Sequence, residues 1–167
     1  MICGGFMFIV HPFEAFCGND PKILILGSFP SVKSRENNFF YGHPQNRFWK
    51  VISAVGKISE PKTVDEKKAM LNKMGIALWD SIHSCEITGS SDSSIKNVTP
   101  NDIRPIVEKY GIRAVFANGK TSGMYYEKYI EPVCGIKAEV LPSTSPANAA
   151  WSLPKLIDAY SVILKYL

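Results

Sequence analysis

Lys22-Ile23-Leu24-Ile25-Leu26-Gly27 is the stretch whose reading decides the fold. The apolar run that follows Lys22 has no polar alternation and stops at a glycine. A strand of that kind is covered on both faces, as in a parallel sheet lying under helices. Working outward, Gln45 to Val55 has helical spacing through Phe48, Trp49, Ile52 and Val55, with Pro44 suited to the first helical position. Thr63 to Lys73 reads as a polar helix opened by a Thr63–Glu66 capping box. Gly75 to Trp79 reads as a second strand, and Ser81 to Val98, rich in Ser, Asp and Gly, as a loop. Thr99-Pro100-Asn101-Asp102 predicts a helix running to about Tyr110. Arg113 to Ala117 is a third strand, Lys120 to Tyr129 a helix, Ala138 to Leu141 a fourth strand and Leu153 to Leu167 a closing helix. This alternation predicts one α/β domain over residues 1–167, a three-layer α/β/α sandwich around a four-stranded, mainly parallel sheet. Such sheets bind ligands at the carboxyl ends of their strands.

Composition agrees with one ordinary domain. The chain has 167 residues, 46% hydrophobic and 20% charged, which excludes a disordered chain and a coiled coil. No apolar run approaches the length of a membrane span. Met1 to Val10 is apolar but lacks the positive start and cleavage site of a signal peptide, and residues 1–9 read as a loose extension. Nineteen Lys and Arg against fifteen Asp and Glu leave a net charge of +4, which permits an anionic partner without requiring one. Cys3, Cys17, Cys85 and Cys134 are far apart and form no Cys-x-x-Cys pair. They read as free thiols of a cytoplasmic protein, with no metal or other cofactor expected.

Three segments leave the strands in positions to carry chemistry. Gly27 to Arg35 is rich in small residues and hydroxyls that suit an anion, without the spacing of a P-loop; it also reads as a plain strand-ending turn. Phe39 to Trp49 holds five aromatics in eleven residues, interleaved with His43, Asn46 and Arg47. Phe48 and Trp49 suit the core, whereas Phe39, Phe40 and Tyr41 precede the helix and offer flat faces to a base. Asn46 falls in the first helical turn, where capping is its alternative role. Leu141 to Trp151 is a loop stiffened by Pro142 and Pro146, with the hydroxyls of Ser143, Thr144 and Ser145 available to a phosphate.

Taken together, GSFPSVKSR (27–35), YGHPQNRFW (41–49) and PSTSPAN (142–148) resemble the motifs of the uracil-DNA glycosylase superfamily. They are most similar to its deoxyinosine (hypoxanthine-DNA) branch, and the second block also resembles the mismatch-specific uracil and thymine glycosylases. The resemblance runs from about His11 to the C-terminus. It implies a monofunctional, monomeric DNA glycosylase of base-excision repair. Such an enzyme flips a damaged nucleotide from the duplex and hydrolyses the bond between base and deoxyribose.

The resemblance also implies roles for individual residues. Asn46 orients the attacking water. Phe29, Phe39, Tyr41, Asp80, Ser81 and Asn118 form the base pocket, with Phe39 or Tyr41 stacking on the base. Ser31, Lys33, Ser34, Arg35, Lys120, Ser143 and Ser145 meet DNA phosphates. Ala147, Asn148, Ala149 and Trp151 form the wedge that fills the gap left by the flipped base. Capping stays open for Asp80 and Asn118, and packing under the last helix for Trp151. His43 reads as structural, and His11 and His83 fall in no motif.

Two positions depart from the wider superfamily. Phe29 stands where many relatives carry a water-activating Asp or Asn, and Ser143 where uracil-specific relatives carry His. Both departures weigh against strong uracil excision and toward hypoxanthine. They also motivate an alternative, a non-catalytic DNA-binding module on the same scaffold.

Overall fold

The computed structural model describes residues 5–167. In chain order it contains β1 (Met7–Val10), β2 (Ile23–Gly27), α1 (Val32–Asn37), α2 (Phe48–Gly56), α3 (Val64–Met74), β3 (Ile76–Asp80), β4 (Ile82–Ile87), β5 (Lys96–Pro100), α4 (Arg104–Tyr110), β6 (Ala114–Asn118) and α5 (Lys120–Tyr125). A π-helical turn (Tyr126–Ile130), α6 (Glu131–Cys134), β7 (Ala138–Leu141), α7 (Leu153–Tyr160) and a 3-10 segment (Ser161–Tyr166) complete it.

The central sheet has the order β3-β2-β6-β7 and every neighbouring pair is parallel. All five residues of β2 and of β3 are buried, which is why their sequences lack alternation. From β2 the chain steps to β3 on one side; it then crosses to β6 on the other side and onward to β7. Right-handed crossovers in opposite directions place α2 and α3 on one face and α4 and α5 on the other. Phe48 and Ile52 of α2, Leu71 of α3, and Leu156 and Tyr160 of α7 share one core cluster with the strands. The reversal at β2 is a topological switch point, and it opens a crevice beyond the carboxyl ends of the strands.

Half of the segment expected as a loop, Ser81 to Val98, is strand. β4 and β5 join β1 in an antiparallel sheet of order β1-β4-β5. Buried Ser84 and Cys85 hide the usual β-branched signature of β4. β1 likewise corrects the reading of 1–9 as a loose extension: Met7 to Val10 pair with Ile87 to Ser84, while residues 1–4 lie outside the described residues. Thr99 and Pro100 are consumed in β5, so they do not open a helix. α4 starts at Arg104, whose N–H donates to Asp102 Oδ1 at 3.0 Å.

Helix ends also differ from expectation. α2 begins at Phe48 and not near Pro44. The predicted helix 120–129 passes through the π turn into α6, and the closing helix tightens to 3-10 after Tyr160. The Thr63–Glu66 capping box forms as read.

Asn101 joins the two sheets. Its Nδ2 donates to Asp80 O at 2.7 Å and to Ile82 O at 3.2 Å, bridging the corner where only Ser81 separates β3 from β4. An Asn101→Ala substitution leaves both carbonyls short of this donor, and is expected to lower the free energy of urea unfolding by about 1–3 kcal/mol. Burial holds the phenols of Tyr41, Tyr126 and Tyr160 above their ordinary titration range. The unfolded chain releases these protons near pH 10 while the folded chain keeps them. Their contribution is therefore complete below about pH 10 and declines as pH rises beyond it, by up to about 1.4 kcal/mol per pH unit for each phenol. Urea unfolding midpoints at stepped alkaline pH measure that decline.

Candidate active site

The crevice holds a cavity of about 750 Å³, within the range of small-ligand sites. Gly27 to Ser31, Asp80, Asn118 to Thr121 and Pro142 to Ser145 line it from the strand ends, joined by Phe40, Tyr41 and Asn46 and by the loop Ser90 to Ser93.

Asn46 precedes α2. Its Oδ1 accepts from Phe48 N at 3.0 Å and from Thr144 Oγ1 at 2.8 Å. Both acceptor positions of the amide oxygen are thus taken, and the group left for the cavity is the Nδ2 donor. Thr144, fully buried, also receives Asn118 Nδ2 at 3.0 Å and donates its backbone N–H to Asn118 Oδ1 at 3.0 Å. One hydroxyl therefore orients two amides. Asn118 ends β6 and does not cap α5, which starts after Gly119.

The aromatic assignments change. Phe39 is not in the cavity; it lies in the core, 5% exposed and stacked on Trp49 at 6.0 Å. The Tyr41 ring stacks one face on Phe48 at 4.0 Å and lines the cavity. Its buried hydroxyl has no hydrogen-bond partner among the described residues. Burial, and then the charge of Asp80, push that phenol upward, so it stays a donor. Phe29, Phe40 and Tyr41 line the cavity, with Trp151 at its rim.

Asp80, 4% exposed, ends β3 and lines the cavity. Its Oδ2 meets His11 Nε2 at 2.7 Å. Ser81 does not reach the cavity: it is fully buried, and its hydroxyl bonds Ser122 O at 3.2 Å and Ser122 Oγ at 3.0 Å. Asp92 enters from the Ser90 to Ser93 loop and accepts from Ser28 Oγ at 2.9 Å. Burial of its carboxyl raises its pKa, against that hydrogen bond.

Several residues expected at phosphates already have partners within the fold. Arg35 turns away from the cavity and donates to Pro30 O at 3.4 Å and Gly89 O at 3.2 Å, with its guanidinium over the Phe29 ring. Burial lowers its pKa. Lys33 lies outside the cavity and pairs with Glu36 at 3.1 Å. Ser34, 2% exposed, receives Gly42 N at 2.9 Å, and Ser31 caps α1 through Ser34 N. Lys120, exposed at the start of α5, has no ion pair among the described residues. The hydroxyls of Ser143 and Ser145 accept from Ser145 N and Ala147 N, shaping their own loop at the cavity rim. Ala147, Asn148 and Trp151 line the rim, whereas Ala149 does not. Trp151 is 37% exposed and is not packed away under α7.

Arg47 holds this rim. Its guanidinium donates to Thr144 O at 3.4 Å, Ser145 O at 2.9 Å and Asn148 O at 3.0 Å, and also to Trp151 O. Its backbone N–H donates to Thr144 O at 3.1 Å. Sequence reading marks Arg47 only as a polar residue among aromatics, and its carbonyl partners, a hundred residues on, carry no side-chain signal. Arg47→Ala is expected to lose about 1–3 kcal/mol of stability and to speed proteolysis within residues 143–151. Wild-type cleavage rates in that variant overturn the clamp.

The family model of the uracil DNA glycosylase superfamily matches residues 13–167. A hypoxanthine DNA glycosylase of Methanosarcina acetivorans is 34% identical over 149 residues, 86% of this chain and 91% of that protein. A hypoxanthine DNA glycosylase of Methanosarcina barkeri is 30% identical over 141 residues, 81% of this chain and 86% of that one. A solution NMR structure from M. acetivorans, described as a candidate uracil DNA glycosylase, superposes with a TM-score of 0.77 at 29% identity, covering 95% of this chain and 99% of the other. The sheet order, the cavity beyond its strand ends and the match over residues 13–167 lead to one conclusion: the chain belongs to the uracil DNA glycosylase superfamily.

Proposed function

We propose that this protein is a monofunctional DNA glycosylase that hydrolyses the N-glycosidic bond of a deaminated base, hypoxanthine foremost, after the nucleotide has flipped out of DNA. The observation that carries this reading is the pair of amides, Asn46 and Asn118, fixed through Thr144 at the wall of the cavity beyond the strand ends. The names of the curated relatives support hypoxanthine as the base.

As the bond breaks, positive charge grows on the sugar and negative charge on the departing base. Fixed donors act on that charge without having to reorganise. Asn46 presents Nδ2–H, so it holds a water through the water's oxygen and takes no proton from it. Its contribution is position, and an amide has no useful basicity near neutral pH. Phe29 and Phe40 give the cavity an apolar lining for a planar base. The rim from Ser145 to Trp151, fixed by Arg47, is the wedge against the duplex. Lys120 and the hydroxyls of Ser143 and Ser145 are the phosphate contacts.

Single-turnover assays on duplexes carrying deoxyinosine, deoxyuridine, deoxyxanthosine or only normal bases, with alkaline cleavage of abasic sites, test the reading. Hypoxanthine release is expected to exceed uracil release. Asn46→Ala is expected to cut it by about 10²–10³-fold while the thermal unfolding transition persists. Near wild-type excision by that variant removes Asn46 from the mechanism. DNA binding by the wild-type protein without release of any base replaces the enzyme with a non-catalytic DNA-binding module.

A further inference from the structure

His11 lies outside all three motifs and before the residues that match the family model. Its side chain is nonetheless 1% exposed, and its Nε2 sits 2.7 Å from Asp80 Oδ2. Its other nitrogen, Nδ1, accepts from Phe13 N at 3.4 Å. A ring nitrogen that accepts carries no hydrogen, so the proton is on Nε2 and points at the carboxylate. Around the ring stand Trp79 at 4.5 Å, Phe13 at 4.6 Å and Phe29 at 5.8 Å between centroids. This apolar box fixes the imidazole and leaves Asp80 as its polar target.

The second oxygen of Asp80 is differently placed. Oδ1 stands over Gly27, where a Cβ would collide with it, beside the Tyr41 hydroxyl. No group among the described residues donates to it, and both Asp80 and Gly27 line the cavity. A carboxylate oxygen at the wall of a ligand cavity, with no donor from the fold, is an acceptor open to the ligand. On the other side the cavity wall offers N–H donors, because Thr144 holds both amide oxygens.

We propose that His11 is a positioning residue that caps one oxygen of Asp80, so that the other oxygen accepts the ring N–H of a lactam base held in the cavity. Hypoxanthine and uracil carry that N–H beside a carbonyl. Adenine and cytosine present a bare ring nitrogen there, whose lone pair faces the carboxylate. Their amino group, in the carbonyl's place, faces donors. The dyad thus selects deaminated bases over their parents by unpaired groups and not by size. Guanine shares the ring N–H, so its rejection falls to other contacts and to the cost of unpairing it.

This inference rests on the glycosylase reading, and the test separates the two. Single-turnover excision is measured on deoxyinosine and on 1-methyldeoxyinosine, which keeps the carbonyl and loses the ring N–H. The wild-type protein is expected to lose about 10²-fold or more on the methylated base. Asp80→Asn and His11→Phe are expected to slow deoxyinosine and to bring the ratio of the two rates toward one. His11→Gln, which keeps an N–H donor, restores part of that ratio. Equal wild-type rates on the two substrates overturn the proposal without any variant. So does a ratio that survives in Asp80→Asn or His11→Phe, because a purely structural role slows both substrates alike. Release of no base from any duplex by the wild-type protein overturns the glycosylase reading itself, and the dyad's role with it.

Discussion

In-register parallel pairing of β2 with its neighbours is the constraint on which the site depends. Gly27 pairs with Asp80 and Leu26 with Trp79 on one side, and Leu26 pairs with Ala117 on the other. Each strand therefore ends at the same level. Asp80, Asn118 and the turn after Gly27 meet there although they are distant in sequence. Gly27 is required at this edge because a Cβ would occupy the space of Asp80 Oδ1. A slip of one residue in either pairing would send these groups to the opposite face of the sheet.

Two arginines and a threonine then convert strand ends into a shaped cavity. Arg35 ties the first motif to Gly89, and Arg47 ties the second motif to three carbonyls of the third and to Trp151 O beyond it. Both cations satisfy carbonyls that a loop would otherwise leave to water. Thr144 sits between Asn46 and Asn118 and decides which end of each amide faces the cavity. The result is a lining with donors on one side and a carboxylate on the other.

The sequence carried the layered α/β architecture, because continuous apolar strands and amphipathic helices have distinct periods. It carried the place of the cavity as well, since open parallel sheets form their crevices at the strand ends. It did not carry β4 and β5. Their buried residues include Ser84 and Cys85, and their pairing with β1 is non-local. Nor did it distinguish Phe39 from Phe40, adjacent aromatics with the same chemistry. The chain adopts a left-handed conformation at Asn38 and again at Tyr41; both phenylalanines are buried in the core cluster, and of the two it is Phe40 that also lines the cavity.

What the sequence by itself determined was the fold class, the three motifs and the residue types available for chemistry. Tertiary structure alone decided which of those residues are free to act. Arg35, Ser34 and Ser81 have the right chemistry for a DNA site but are consumed by backbone and hydroxyl partners. His11, outside every motif, is delivered to Asp80 across 69 positions. The physical reason is that a hydrogen-bonding group has few partners to give, and only the folded chain shows which have already been taken.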